Sequence, residues 1–137
     1  MLKLAARDPD DLEVISAQMQ DALIRLADVR YVKKTRQFVL VANRYAWESL
    51  PAKERHRSGL HFENVLAVKR HGLRQTDPDV ILSLMSVSFA ETDAPAGVVT
   101  LTFANGAVVQ LHVEYLDCLL KDLGGVWAAG RTPDHGV

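Results

Sequence analysis

The sequence predicts an α+β domain: a strongly bent antiparallel sheet, or incomplete barrel, with an N-terminal helix and a C-terminal capping helix. Segments rich in β-branched and aromatic residues follow one another with only short turns between them, which favours an antiparallel sheet. A helix-start signal follows the first strand, and a leucine stripe with helical spacing follows the last hairpin. Since six or seven strands must curl to bury one face, the bend is part of the prediction.

The size of the chain indicates one hydrophobic core. The chain has 137 residues, of which 48% are hydrophobic and 24% charged. It is long enough to form one core and too short for two ordinary domains. We therefore expect a single domain over residues 1–127 and a flexible C-terminal tail over 128–137. Gly130, Pro133 and Gly136 favour fraying of that tail.

The first predicted elements are a strand and a helix. Residues 2–6 form a short apolar run. Asp8 then suits the N-cap and Pro9 the first helical position, and two further acids in the first turn are favoured by the helix dipole. Apolar residues at helical spacing carry this helix to Leu23, so one of its faces should pack on the sheet.

The middle of the chain predicts successive strands. Residues 29–32 and 37–42 flank a hydrophilic turn and form a hairpin. The charged segment 51–59 is expected to be a surface loop. Residues 60–68 and 80–89 then supply two further strands.

An Asn-Gly pair defines the last hairpin, because it separates two strand-like runs, 98–103 and 108–113. A two-residue turn would mix apolar and polar residues on both faces. A three-residue loop with Gly106 in the left-handed conformation places Leu101 opposite Val109 and makes one face wholly apolar. We therefore expect a type I turn with a glycine bulge.

The segment after this hairpin predicts the capping helix. Its leucines recur at i, i+3, i+4 and i+7, namely Leu116, Leu119, Leu120 and Leu123. A Gly-Gly pair follows and favours a helix end. A bent sheet that ends in a hairpin and a helix is similar to the pleckstrin-homology-like architecture, a likeness of fold that implies no function.

The segment Asn-Arg-Tyr-Ala-Trp-Glu at 43–48 also carries a resemblance to a family. Together with the first helix, the strand at 62–68 and the final hairpin and helix, it resembles a bacterial family of about this length known only as a domain of unknown function. The resemblance covers most of residues 1–127. It implies a single bacterial cytoplasmic domain and supplies no catalytic or binding residues.

Several kinds of site and location are not expected. No apolar run approaches the roughly 20 residues that span a bilayer, and the N-terminus lacks a signal-peptide core, so we expect a cytoplasmic protein without membrane contact. Cys118 is the one cysteine, and a buried structural thiol is its simplest interpretation. The histidines lack metal-ligand spacing and no cofactor motif is present, so we expect no metal and no cofactor.

Charge is distributed unevenly along the chain. Residues 25–74 hold twelve Lys and Arg against four Asp and Glu, whereas the net charge of the whole chain is −1. A basic face in this segment could meet an anionic ligand or an acidic protein. The alternative is that these charges only solvate strand ends and edges. Nucleic-acid binding is not expected, because the chain as a whole lacks a basic balance.

Three residues are the candidates for binding a ligand or partner: Arg44, Trp47 and Arg57. Trp and Arg are favoured interface anchors, so Trp47 with Arg44 could hold a protein partner or a second copy of the chain. Arg44 or Arg57 could instead hold an anionic substrate. In the structural alternative, Trp47 plugs the open end of the barrel while Arg44 pairs with Glu48 at the surface.

The weak catalytic candidates are His61 and Glu63. They lie two residues apart on a predicted strand, so both should face one side, where the carboxylate could orient the imidazole as a general base. We expect a non-enzymatic binding or adaptor domain, taking a protein partner, a homodimer partner or an anionic ligand. The alternatives are a small enzyme that uses this pair on an anionic substrate, and a nucleic-acid-binding module.

Overall fold

The computed structural model describes residues 2–73 and 77–128, with the backbone alone for 125–128. Within these ranges the chain forms one α-helix, α1 (Pro9–Met19), and a ten-stranded antiparallel sheet. The strands are β1 (Lys3–Ala6), β2 (Ala22–Arg25), β3 (Val29–Val32), β4 (Gln37–Tyr45), β5 (Glu54–Phe62), β6 (Val65–His71), β7 (Ile81–Glu91), β8 (Gly97–Phe103), β9 (Val108–Val113) and β10 (Cys118–Ala128). Beyond residue 128, the expected tail lies outside the described residues.

The sheet is bent and not closed. Its strand order is β1-β10-β5-β4-β2-β7-β8-β9-β6, and β3 pairs with β4 beside β2. The start of β6 approaches the β3–β4 hairpin, where Tyr31 Oη donates to the Val65 carbonyl and Val65 N–H donates to the Arg36 carbonyl, both at 2.8 Å. Beyond that point β3 and β6 form no ladder with each other. We call this gap between β3 and β6 the seam.

Helix α1 begins as predicted and ends earlier. The Asp8 carboxylate accepts a hydrogen bond from Asp11 N–H at 2.8 Å, which confirms the N-cap. Leu12, Ile15 and Met19 are buried against the sheet. The helix stops at Met19 rather than Leu23, because Asp21 adopts a positive φ of 64° and the following residues pair with β7 as strand β2.

The predicted C-terminal capping helix is wrong. Residues 118–128 form β10, which pairs with β1 on one side and β5 on the other. Its side chains alternate: Leu120 and Asp122 are buried, whereas Lys121 and Leu123 are exposed. Two partner strands satisfy the backbone of β10, so tertiary pairing overrides the helical spacing of the leucines. The likeness to a pleckstrin-homology-like architecture depended on that helix and is not confirmed.

The predicted loop at 51–59 and the predicted strand at 60–68 are also wrong in part. Strand β5 runs from Glu54 to Phe62 and includes most of the charged segment. The chain then turns at Asn64, which has a φ of 58°, before β6 begins. The charged segment forms a strand because its inward-facing polar side chains meet polar partners on β4 and β10, as described below.

Both predicted hairpins are confirmed. Val32 pairs with Gln37 across the β3–β4 turn. In the β8–β9 hairpin, Leu101 pairs with Val109 and Gly106 has a φ of 85°, the left-handed conformation that the glycine bulge requires. Among the described residues, no helix combines the length and apolar character that a membrane crossing requires.

Candidate functional site

A buried arginine is the most unusual polar feature of the core. Arg44 on β4 has a fully buried side chain. Its Nε donates to Asp122 Oδ1 at 2.9 Å and its Nη2 to Asp122 Oδ2 at 2.8 Å. The other side of the guanidinium donates to both carboxylate oxygens of Glu48 at 2.9 and 2.7 Å. Burial alone lowers the pKa of Arg44, but the hydrogen bonds to Glu48 and Asp122 outweigh it, so the group remains charged.

Asp122 is surrounded by further donors. The Ser58 hydroxyl donates to Oδ1 at 2.6 Å, and Leu2 N–H donates to Oδ2 at 2.9 Å. His56 Nδ1 lies 3.1 Å from Oδ2. Burial favours the neutral acid, yet these donors together with Arg44 hold the pKa of Asp122 well below its usual range. The buried carboxylate is therefore ionised and fully hydrogen-bonded.

Both ring nitrogens of His56 face carboxylates. Nδ1 faces Asp122, and Nε2 lies 3.0 Å from Glu54 Oε2. Burial and, to a smaller extent, the Arg44 charge lower the pKa of His56. The hydrogen bonds to Glu54 and Asp122 outweigh these two effects, so the pKa of His56 is raised. An imidazole between two carboxylates is stabilised in its doubly protonated form. We call the residues of this network the ionic cluster: Arg44, Glu48, Glu54, His56 and Asp122.

The ionic cluster contains a set of atoms at metal-binding distances. Ligand atoms of Glu48, His56 and Asp122 lie within 4.8 Å of one another. Both nitrogens of His56 are already used, however, and Arg44 Nη2 contacts both carboxylates at 2.7 and 2.8 Å. The guanidinium occupies the position that a cation would need. The arrangement therefore supports a structural link between β4, β5 and β10 rather than a metal site.

The three predicted binding residues have different surroundings. Arg44 belongs to the ionic cluster, so it reaches a partner only if that network opens. The Trp47 ring is partly buried, with its centroid 4.6 Å from that of Tyr45 and Nε1 donating to the Gln20 carbonyl at 3.4 Å. Arg57 is exposed on β5. The structure thus does not bring the three together at one surface, and a binding role for Trp47 or Arg57 stays a prediction.

The predicted pair His61 and Glu63 is in contact. His61 Nδ1 lies 3.3 Å from Glu63 Oε1, and the same oxygen accepts a hydrogen bond from Gln37 Nε2 at 2.9 Å. Both side chains are about one-third exposed at the end of β5. The contact is as expected, whereas its use in proton transfer stays a prediction.

The basic residues of segment 25–74 are partly used within the fold. Arg36 pairs with Glu114. Arg55 donates to the Asn43 carbonyl at 3.0 Å. Arg74 lies outside the described residues. The rest of the segment still leaves several exposed cations, among them Arg57 and those on the edge strands β3 and β6.

Cys118 is buried at the start of β10. Desolvation, with a smaller contribution from the Asp117 charge, raises the pKa of its thiol. A buried, protonated thiol is a poor nucleophile, so this residue belongs to the core.

An apolar cavity opens at the seam. It has a volume of about 160 Å³ and is lined by ten apolar residues from both sides of the gap, with Arg70 as the charged lining residue among those described. The core contributes Phe38, Leu101 and Val109, and the edges contribute Val29 and Val68. We call this space the seam cavity. Its apolar lining reaches the surface between two strand edges that are not paired with each other.

A larger groove lies at the start of α1. It measures about 420 Å³ and combines two aromatic rings, Phe89 and Tyr115, with carboxylates such as Glu91 and Asp117. Arg7 Nε lies 3.9 Å from Asp117 Oδ1, which is a long distance for an ion pair, and the Arg7 side chain is 81% exposed. Because Arg7 is exposed at this groove, its interaction with Asp117 is screened by solvent and salt.

Asp122, His56 and Ser58 were not among the site residues predicted from the sequence. Each is a polar residue at an inward position of a strand, but this pattern can be recognised only after β5 and β10 have been assigned as strands. The seam cavity was not predicted either, because its lining comes from distant parts of the chain.

Comparison with known proteins identifies one family. A family model described as "Protein of unknown function (DUF2948)" matches residues 2–135. No curated protein and no solved structure matches the chain. The match agrees with the resemblance to a family of unknown function, and it names no ligand, reaction or partner.

Proposed function

The chain belongs to the DUF2948 family, and for this member we propose a non-catalytic binding function in which the seam cavity takes the apolar part of a small molecule. The observation that carries the proposal is an apolar cavity of about 160 Å³ at an open strand edge. Apolar cavities of about 150 Å³ stay dry and bind benzene-sized molecules or xenon. The cavity therefore suits a group of about the size of one aromatic ring.

The location of the cavity supports entry of a ligand. Val29 on β3 and Val68 on β6 line it from opposite edges of the seam, and these edges are not joined to each other by a ladder. A ligand can therefore enter without breaking strand pairing. Both residues are partly exposed, whereas Phe38 and Leu101 deeper in the cavity are buried.

The chemistry of the lining supports binding rather than catalysis. The described lining residues include no carboxylate, imidazole, hydroxyl or thiol. The titratable side chains of the ionic cluster lie outside this lining, and hydrogen bonds within the fold hold each of them in place. To act as a general acid or base, a group of this cluster would first have to give up contacts within the fold, because Glu48 and Asp122 accept from Arg44 and both nitrogens of His56 face carboxylates.

The experiment is a titration of the isotopically labelled protein with toluene and with xenon, followed by methyl chemical shifts. We expect shifts concentrated at Leu101, Val109 and Val68, and their loss in Val68→Phe, which fills the cavity from its edge. Val29→Phe fills it from the opposite edge and serves if the first variant fails to fold. The matched control is Leu66→Phe, since Leu66 is on the same strand and 48% exposed.

Two results would contradict the proposal. The first is the absence of methyl shifts at saturating probe in the wild-type protein. The second is a response that persists in a folded Val68→Phe or Val29→Phe variant, because the probe would then bind elsewhere.

A further inference from the structure

We propose that the ligand of the seam cavity is an amphipathic monocarboxylate, with its apolar group inside the cavity and its carboxylate bound by Arg70 at the mouth. This inference rests on the proposed function and adds the chemical class of the ligand. It predicts a preference for a charged ligand over an uncharged one of the same shape.

The position of Arg70 is the first argument. Arg70 is on β6, two residues after Val68, and pairs with Val109 on β9. Val68, Arg70 and Val109 all line the cavity, while Arg70 itself is exposed. An arginine in this position can lay its aliphatic stem along the apolar lining and keep its guanidinium in water. One residue thus joins the apolar cavity to the solvent.

The second argument is that Arg70 has no anionic partner among the described residues. The nearby acids Asp28 and Asp79 pair with Arg25 instead, each at a distance of 3.6 Å. Other arginines of segment 25–74 have partners, as Arg44 and Arg36 show. The guanidinium of Arg70 therefore keeps its donors available for a ligand.

The third argument is the charge of the two strand edges. Arg30 next to Val29 on β3 and Lys69 next to Arg70 on β6 are exposed cations. Because neighbouring residues of a strand face opposite sides of the sheet, they attract anions to these edges from a distance and do not contact a ligand in the cavity. Arg70 is the charged residue of the described lining that can contact the ligand.

A carboxylate fits this site better than a neutral polar group. The planar guanidinium binds a carboxylate through two parallel hydrogen bonds, and such charge-assisted bonds are stronger than neutral ones. One guanidinium balances one negative charge. Because Arg70 is exposed, its pair with a carboxylate has the strength of a surface ion pair, so the preference over an uncharged isostere should be about 2- to 5-fold in Kd at low salt.

The experiment compares phenylacetate with phenylacetamide, which share the ring and the chain length and differ in charge. Affinities are measured by calorimetry or by methyl shifts at low salt. We expect the wild-type protein to bind phenylacetate about 2- to 5-fold more tightly. Arg70→Gln should lose this preference and bind phenylacetamide as the wild type does. The matched control Lys69→Gln, an exposed cation next to it, should keep the preference.

The outcomes separate the two proposals. Equal affinity of the wild type for both compounds, with toluene still bound in the cavity, overturns the inference and leaves the proposed function standing. A preference that survives in Arg70→Gln also overturns it, since the anion would then be held by another group. Failure of toluene, phenylacetate and phenylacetamide alike to bind overturns both proposals.

Discussion

Arg44 and Asp122 are 78 residues apart in the chain, yet two parallel hydrogen bonds of 2.9 and 2.8 Å join them in a buried ion pair. Arg44 is on β4 and Asp122 on β10, and both strands pair with β5 between them. The pair therefore spans three strands. It also fixes the N-terminal strand, because Asp122 Oδ2 accepts from Leu2 N–H and Asp122 N–H donates to the Leu2 carbonyl.

Removing one side of this pair should be strongly destabilising. Asp122→Ala leaves a buried guanidinium with only Glu48 as anionic partner, and breaking a buried pair in this way costs about 3–5 kcal/mol. The double variant Arg44→Met/Asp122→Leu should recover much of the loss. Urea unfolding measures both, with the exposed Lys121→Ala as the control. A loss below about 1 kcal/mol in Asp122→Ala would contradict the structural role of the cluster.

The contribution of His56 should depend on pH. The pKa of His56 is raised in the folded protein, so its stabilising effect is complete below the unfolded value of about 6.5 and is lost as pH rises through the folded pKa. The difference in unfolding free energy between wild type and His56→Gln should therefore be largest in mildly acidic solution and shrink toward alkaline pH. The control is His71→Gln, an exposed histidine. If the stability difference between wild type and His56→Gln increased with pH, the pKa of His56 would be lowered on folding, contrary to this prediction.

Trp47→Ala tests whether this ring serves the fold or an interface. Because Trp47 packs on Tyr45 and is only partly buried, we expect a stability loss smaller than the roughly 3–5 kcal/mol of a fully buried tryptophan. Sedimentation should show no change in association. Leu50→Ala, at a side chain that is 51% exposed, is the control. Dissociation of a dimer without loss of stability would instead support the interface hypothesis.

Gly106→Ala should destabilise the β8–β9 hairpin by about 1–2 kcal/mol. The φ of Gly106 is +85° and nothing lies within 4 Å of an added Cβ, so the cost is purely that of the left-handed backbone. Gly59→Ala is the contrasting variant, since its Cβ would meet Leu123 at an ordinary 3.5 Å. Thermal unfolding of both variants provides the measurement. Equal effects would argue against the backbone explanation.

Cys118 should be unreactive in the native protein. Burial raises the pKa of its thiol and shields it from reagents, so labelling by iodoacetamide should follow global unfolding. The rate should rise steeply with urea and match the unfolding transition. Fast labelling without denaturant would show that the start of β10 opens locally.

The candidate site was predictable only in part. The contact between His61 and Glu63 was predicted from a spacing of two on one strand, although Glu63 lies just after the end of β5. The pairing of Arg44 with Glu48 was predicted at the surface, whereas the Arg44 side chain is buried. Asp122 was not predictable as the partner of Arg44. Its position inside the sheet depends on β10 being a strand, and the local leucine spacing favoured a helix.

The sequence by itself determined the elements that carry their own start and stop signals. Asp8 begins α1 because its carboxylate caps a nearby amide, and Gly106 forms the turn between β8 and β9 because few other residues adopt its backbone conformation. Tertiary structure alone decided β5, β10, the ionic cluster and the seam cavity. Each depends on pairing between segments far apart in the chain. Such pairing provides partners for backbone hydrogen-bonding groups and for buried charges, and these contacts cannot be inferred from a local sequence pattern.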